Sequence, residues 1–410
     1  MMKASPLFQR IFIGMVVIGT TCVVAQDWPQ WRGPNRDGKG VQFNTPEQWP
    51  TELNQKWRVT VGFGDATPAL VGDKLIVFAR QGEEEVILGL NANTGQELWK
   101  ESYPAVRPTG GPGRHPGPRS SCAVAQGKVI ALGVGGTLSC LDAANGTLLW
   151  RKDPFPKIVP SFFTSVSPIV VDGMVITHLG GKGNGAIIAY DLATGDEKWR
   201  WAGEGPEYGS PVLLTVGGIQ QIVTPTEQHI VGVGIADGKL LWQYPFPPQS
   251  RAYNSVTPIV DGETVIISGA KRGTRALKIV KQGDVFSANE VWNNPDIATQ
   301  YNTPVLRDGL LFGLTESNKL FCLNAKTGKT TWTDTATRGS RSFGAIVSTD
   351  ACLFLLTNAS ELIAFKPDGE AYSEIAHYSI AETQTIAHPV ITGKRIYIKA
   401  EETLTLWTIE

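Results

Sequence analysis

The sequence predicts an all-β fold, an eight-bladed propeller of four-stranded antiparallel blades in which an N-terminal strand completes the C-terminal blade. Three observations predict it. A phrase returns along the chain, as LNANTGQELW ending at Trp99, LDAANGTLLW at Trp150, YDLATGDEKW at Trp199, GIADGKLLW at Trp242 and LNAKTGKTTW at Trp332. Weaker relatives are FSANEVW ending at Trp292, FKPDGEAY around Asp368 and LNQKW at Trp57. The tryptophans at 57, 99, 150, 199, 242, 292 and 332 lie 42, 51, 49, 43, 50 and 40 residues apart, which is the period of a blade. Between them stand short β-rich runs separated by turn residues.

Residues 166–201 show one unit in full. SPIVV, MVITHL, AIIAYD and EKWRW read as four short strands joined by Asp-Gly, a Gly-rich stretch and Ala-Thr-Gly. In the recurring phrase Asp191 is placed to accept backbone N–H groups, and Gly195 to supply a positive φ that a β-carbon would oppose. Trp199 on the outer strand is large enough to fill the wedge between neighbouring sheets. A single sheet of this kind cannot bury both faces, whereas a ring of them can.

Inner strands are then expected at TPALV (67–71), SCAVA (121–125), SPIVV (167–171), SPVLL (210–214), TPIVD (257–261), TPVLR (303–307), FGAIV (343–347) and HPVIT (388–392). The eighth has only KRIYIKA and TLTLWTI after it, one strand short, and LNQKWRVTV (53–61) supplies the missing one. Closing the ring in this way removes exposed sheet edges from the join. The expected domains are a signal peptide (1–25), a leader packed on the ring (26–52) and the propeller (53–410).

The N-terminal stretch has Lys3 and Arg10 before the apolar run Ile11 to Ala25, with Val23 and Ala25 where a signal peptidase reads. Cleavage after Ala25 and a periplasmic or secreted location are expected, because the run is short for a membrane span. Membrane attachment would require lipidation at Cys22, and the preceding Gly-Thr-Thr suits that poorly. Trp28, Trp31 and Trp49 make the leader too aromatic for a free tail, so it is expected to clasp the ring. Cys122, Cys140, Cys322 and Cys352 all fall within strands, in no CxxC spacing, and read as small buried hydrophobes. A formal net charge of −1 predicts no bulk attraction to nucleic acid. A monomer is expected.

No protease, hydrolase or phosphate-loop motif is present, and His115, His178, His229, His377 and His388 show no ligand spacing, so no metal site is predicted. GKGNG (181–185) joins two strands and reads as a hairpin loop. The acidic turn 191–197 recurs with the repeat and is too short for an EF-hand. The candidate site is therefore the face carrying the connections from each outer strand to the next inner strand. These include RPTGGPGRHPGPR (107–119), EGPEYG (204–209), PFPPQSRAYN (245–254), NPDIATQYN (294–302) and ATRGSR (336–341). They bring Arg114, His115, Arg119, Tyr208, Asn254, Tyr301 and Arg341 towards the central channel, with His388 at the start of the eighth inner strand. Such a funnel suits an anionic or sugar-like ligand or an acidic peptide. The plainer account is that these groups satisfy loop carbonyls. The Gly/Pro-rich connection 103–119 is the strongest functional element among them, and AKRGTR (270–275) reads as a solvated hairpin tip.

The phrase Ala/Asp-x-x-Thr-Gly-x-x-x-Trp resembles the repeat of the pyrroloquinoline-quinone (PQQ)-like propellers, a family that includes quinoprotein alcohol dehydrogenases and BamB. DWPQWRGPNRDG (27–38), RHPGPRSSCAV (114–124) and SVTPIVDGETVIISG (255–269) further resemble an exported bacterial branch. The resemblance covers roughly residues 53–410. It implies one of two roles. The first is a non-catalytic binding or scaffolding module, BamB-like, that takes a protein, peptide or envelope polymer on its loop face. The second is a quinoprotein oxidoreductase using PQQ with calcium. The dehydrogenase site implied by the family has two adjacent cysteines beside the quinone, a stacked tryptophan, Glu and Asn on calcium, and an Asp base. This chain has no Cys-Cys pair, and no catalytic residue can be carried over. No cofactor is therefore expected, and the binding module is the reading the sequence favours.

Overall fold

The computed structural model describes residues 1, 27–40, 42–249 and 252–410. The expected signal peptide and Cys22 lie outside the described residues.

Eight four-stranded antiparallel sheets form the ring. Blade 1 is Ala69–Val71, Lys74–Gln81, Glu84–Asn91 and Glu97–Pro104, from the channel outwards. Blades 2 to 7 repeat the order and begin at Ala123, Ile169, Val212, Ile259, Val305 and Gly344. Blade 8 is Val390–Thr392, Arg395–Lys399 and Thr403–Thr408, completed on its outer edge by Asn54–Thr60. That last pair is antiparallel, running from Asn54 opposite Thr408 to Thr60 opposite Thr403. The predicted closure is the observed one.

The repeated phrase works as a dock between blades. Asp191 Oδ1 accepts the N–H groups of Ala193 and Thr194 at 2.9 and 3.0 Å, and Gly195 follows at φ 74°. That turn lies under the preceding blade's tryptophan, since a β-carbon on Gly195 would stand 2.8 Å from the Trp150 ring. The Trp150 indole N–H donates to the Leu192 carbonyl at 3.1 Å. Trp57, Trp199, Trp292 and Trp332 donate in the same way to Ala92, Ile235, Ala325 and Asp368 of the following blade. Trp99 packs on Gly146 of blade 2 without that bond. Each ring thus buries its area across a blade boundary, and all but Trp99 satisfy their single donor there as well.

Two boundaries depart from this pattern. Trp242 turns back into its own blade and donates to Gln221 Oε1 at 2.5 Å. Blade 5 instead extends its last hairpin, Gly273–Gln282 with Val285–Asn294, so that Phe286 and Ala288 join the core shared by blades 4 and 5. Between blades 7 and 8 the leader fills the gap. Phe43 meets Phe354 edge-on at 5.2 Å, Trp49 packs on the same ring, and Tyr378 Oη donates to the Pro50 carbonyl at 3.0 Å.

A second, inner seam runs around the channel. Backbone N–H groups of His388, Thr67, Ser121, Ser167, Ser210 and Thr257 donate in turn to the hydroxyls of Thr67, Ser121, Ser167, Ser210, Thr257 and Thr303, at 2.9–3.2 Å. Each hydroxyl belongs to the next blade, so the seam ties blade 8 through to blade 6.

The leader passes through this channel. Trp28 pairs with Leu70, Pro29 accepts from Val124, and on the blade 7 inner strand Ser348 accepts from Gly40 and donates to Gly38. Between these points the chain turns back, and two buried arginines reach opposite walls. Arg32 donates to the Thr303 and Pro304 carbonyls at 2.9 Å each, and Arg36 to the Ser167 and Pro168 carbonyls at 2.9 Å each. Burial draws their pKa values down to about 10 and about 9. Carbonyl dipoles replace their water, which is what a buried guanidinium requires.

Candidate functional site: the connection face

The long connection between blades 1 and 2 is pinned from below. Arg80, buried on the second strand of blade 1, donates to the carbonyls of Pro116 at 2.8 Å and Val106 at 2.6 Å. Glu85 beside it is also buried. It accepts from Tyr103 Oη at 2.6 Å and from the Val134 N–H at 3.0 Å. Burial pushes both the Glu85 carboxyl and the Tyr103 hydroxyl upward. The Gly/Pro-rich segment above is thus an ordered element.

Most of the predicted polar residues spend their groups within the loops. Arg119 donates to the carbonyls of Phe162, Pro112 and His115, the last two at 3.0 and 2.9 Å, and burial lowers its pKa. His115 meets Asp65 at 3.1 Å, and that hydrogen bond raises the imidazole pKa. Asn254 is buried, donating to the Thr226 and Phe246 carbonyls at 2.9 and 3.0 Å and accepting from Arg272 at 2.6 Å. His388 is buried edge-on to Trp31 of the leader at 5.5 Å, and burial draws its pKa down to about 3. Arg114 ends a single 3-10 turn and is exposed, as is Arg341 at φ 54°.

The aromatic groups behave differently. Tyr208 accepts the Phe162 N–H on its hydroxyl at 3.1 Å, and burial raises that hydroxyl's pKa. Its ring forms a triad with Phe162 and Tyr253, at centroid distances of 5.1, 5.4 and 6.3 Å, all edge-to-face. Tyr301 stacks on Phe343 at 4.7 Å and 12°. Edge-to-face and offset stacking are the arrangements the ring quadrupole favours. Glu207 lies next to Tyr208, bonded by the Asn254 N–H at 2.9 Å, and burial lifts its carboxyl to about 7.

Phe162, Tyr253 and Phe343 were not singled out in the sequence. Nor were four exposed apolar side chains on three successive connections: Phe63, Val106, Ile158 and Phe162. The signal available was the density of apolar residues in the Gly/Pro-rich connections, as in FPKIVPSFF (155–163). Large apolar groups exposed together on one face mark contact surfaces.

Among the described residues no three or more His, Cys, Asp or Glu side chains gather closely enough to hold a metal ion. The four described cysteines are free, buried and apart. Among the described residues no helix is long and apolar enough to cross a membrane.

A family-level profile described as outer membrane protein assembly factor BamB matches residues 82–334, more than half of the chain. BamB of Burkholderia pseudomallei is 22% identical over 311 residues, covering 72% of this chain and 73% of that protein. The quinohemoprotein alcohol dehydrogenase of Comamonas testosteroni is 32% identical over 142 residues, but the match spans 33% of this chain and only 19% of the enzyme. The solved structure of that enzyme superposes with a TM-score of 0.71 at 15% identity, covering 93% of this chain and 80% of the enzyme chain, a likeness of fold. With the profile match spanning blades 1 to 6, the chain belongs to the BamB family of PQQ-like β-propellers.

Proposed function

We propose that the protein is an exported, non-catalytic binding module that presents its connection face to a polypeptide partner. The name of its relatives, outer membrane protein assembly factor, points to the cell envelope and to protein assembly as the setting. The observation that carries the reading is the set of exposed apolar side chains on the connections, Phe63, Val106, Ile158 and Phe162, the last packed against Tyr208 and Tyr253. They are exposed, while Arg119, Asn254 and His388 serve the loops and the channel. Interface energy concentrates in a few apolar and aromatic anchors. Phe162→Ala together with Ile158→Ala is expected to weaken partner capture about tenfold. Crosslinking in the native envelope and quantitation of the captured partner measure this. Unchanged capture by a normally stable variant overturns the assignment.

The second reading is a PQQ-dependent oxidoreductase, favoured by the identity to the quinohemoprotein dehydrogenase. Mixing the protein with PQQ and calcium, desalting, and recording the visible spectrum and dye-linked alcohol oxidation tests it. Retained quinone with turnover would establish that reading in place of the first.

A further inference from the structure

The connection 103–119 lies against a segment that belongs to no blade. Residues 61–66 run from the strand that closes blade 8, Asn54–Thr60, to the first strand of blade 1. The two backbones touch. The Asp65 and Ala66 N–H groups donate to the Pro118 carbonyl at 2.8 and 3.1 Å, and a β-carbon on Gly117 would collide with the Phe63 carbonyl. Side chains cross the same junction, where His115 Nδ1 lies 3.1 Å from Asp65 Oδ2. The two side chains are partly withdrawn from water, at 29% and 17% exposure. The ring therefore exchanges protons with solvent, while its charge is screened less than on an open surface.

Charges face the ring from three elements. Asp65 and Glu401 of the blade 8 hairpin favour its protonated form, and Arg119 on its own connection opposes it. Lys399, buried, spends its ammonium group on the carbonyls of Gly64, Ala400 and Glu401 at 3.1, 2.6 and 2.8 Å, and it too acts on Asp65, as does Asp65 on Arg119. The hydrogen bond to Asp65 prevails, and the folded ring holds its proton more tightly than a free imidazole. The charged pair's contribution is therefore complete below the free imidazole value and is lost as pH rises through the folded value. Above it a neutral ring faces the carboxylate, without the Coulomb attraction between them.

The chain of bonds runs on from this pair. The His115 carbonyl accepts from Arg119 Nη2 at 2.9 Å, and the same guanidinium donates to the Phe162 carbonyl on the next connection. We propose that His115 and Asp65 form a proton-operated catch: with the ring protonated they hold the connection 103–119 on residues 61–66 and, through Arg119, fix the seat of Phe162, and with the ring neutral that edge of the connection face loosens. Phe63 stands on one side of the junction and Phe162 is tied to the other, so the spacing of two exposed apolar groups follows the proton. That consequence rests on the reading of the connection face as a binding surface; the catch itself does not.

Two measurements on the full chain test this without any partner. NMR of the imidazole follows the ring's titration. Amide exchange follows the junction, expressed as protection factors so that the intrinsic pH dependence of exchange cancels. The Asp65 and Ala66 amides, which bond to Pro118, are expected to lose protection about threefold as pH rises through the ring's own titration. Asp65→Asn keeps the side chain's size and removes its charge, so it should lower the ring's pKa and abolish the step. His115→Gln should hold protection at its high-pH level throughout. A ring that titrates at or below the free imidazole value, protection that is flat across its titration, or a step that survives in His115→Gln overturns the proposal. Partner capture is expected to fall across the same step. Capture that does not change there overturns the link to Phe162, while the exchange data still decide the catch.

Discussion

Six of the eight blade boundaries are joined by a tryptophan resting on the next blade's turn glycine or carbonyl, and the boundaries 4/5 and 7/8 are not. At 4/5 the tryptophan is present but turned inwards, because blade 5 has no turn of the Asp-x-x-Thr-Gly kind to receive it. A polar trio takes over there: Tyr244 donates to Glu290, and Arg275 reaches both, at 3.1 and 3.2 Å. At 7/8 the leader supplies the aromatic filling. The difference teaches that the dock is a two-part device: where the ring lacks its receiving turn, at 4/5, or both parts are missing, at 7/8, groups foreign to the repeat take over.

The largest effect is expected where the dock is complete. Trp150→Ala empties a buried wedge and is expected to cost about 3–5 kcal/mol in denaturant unfolding. Gly195→Ala places a methyl at positive φ against the same ring, for about 1–3 kcal/mol. The double variant should cost less than the sum of the two, since the clash disappears with the ring, and a double-mutant cycle reads that coupling directly. Additive costs would show that ring and glycine do not work as one unit.

At the foreign joints the costs are smaller. Tyr378→Phe loses the bond to the Pro50 carbonyl and is expected to cost about 1 kcal/mol, with faster proteolysis of the leader as the specific readout. Tyr244→Phe should cost about 0.5–1 kcal/mol by thermal unfolding, and less at high salt, because Arg275 and Glu290 remain paired at the surface.

The buried histidines sharpen the comparison between the channel and the rim. Burial depresses His388 to about 3 and His178 to about 4, against about 6.5 for the exposed side chain. Above pH about 6.5 both folded and unfolded chains hold these rings neutral, so they add no pH dependence. Below it the unfolded chain takes up protons that the ring refuses, and stability falls until the folded values are passed. His388→Gln is expected to flatten urea-unfolding stability between about pH 6 and pH 3. An unchanged slope would place the acid sensitivity elsewhere.

The blades were legible in the sequence because their information is local. Asp191, Gly195 and Trp199 each act within one strand–turn–strand unit, and that unit recurs. The inner seam was half legible. Ser or Thr stands before Pro at the start of several inner strands, as in Thr67-Pro68 and Ser210-Pro211, but each hydroxyl's donor belongs to another blade. The connection face was least legible. Whether Arg119 meets a ligand or the Phe162 carbonyl is decided by a loop 43 residues away. Arg80 and Glu85 sit inside strands and gave no sign that they anchor the loop above. Arg32 and Arg36 looked like part of a clasp, yet their partners lie 271 and 132 residues further on.

The closing strand bears on the order of events in folding. Asn54–Thr60 is made long before its partner Thr403–Thr408, and the Thr408 hydroxyl reaches the Asn54 carbonyl across 354 positions of chain. Contacts so distant in sequence are slow to form. Asn54–Thr60 stays without its sheet partner until Thr403–Thr408 is in place. Latching of the ring is thus a late, whole-chain event, and a circular permutant that joins the two closing strands through a short turn should fold faster while reaching the same native state.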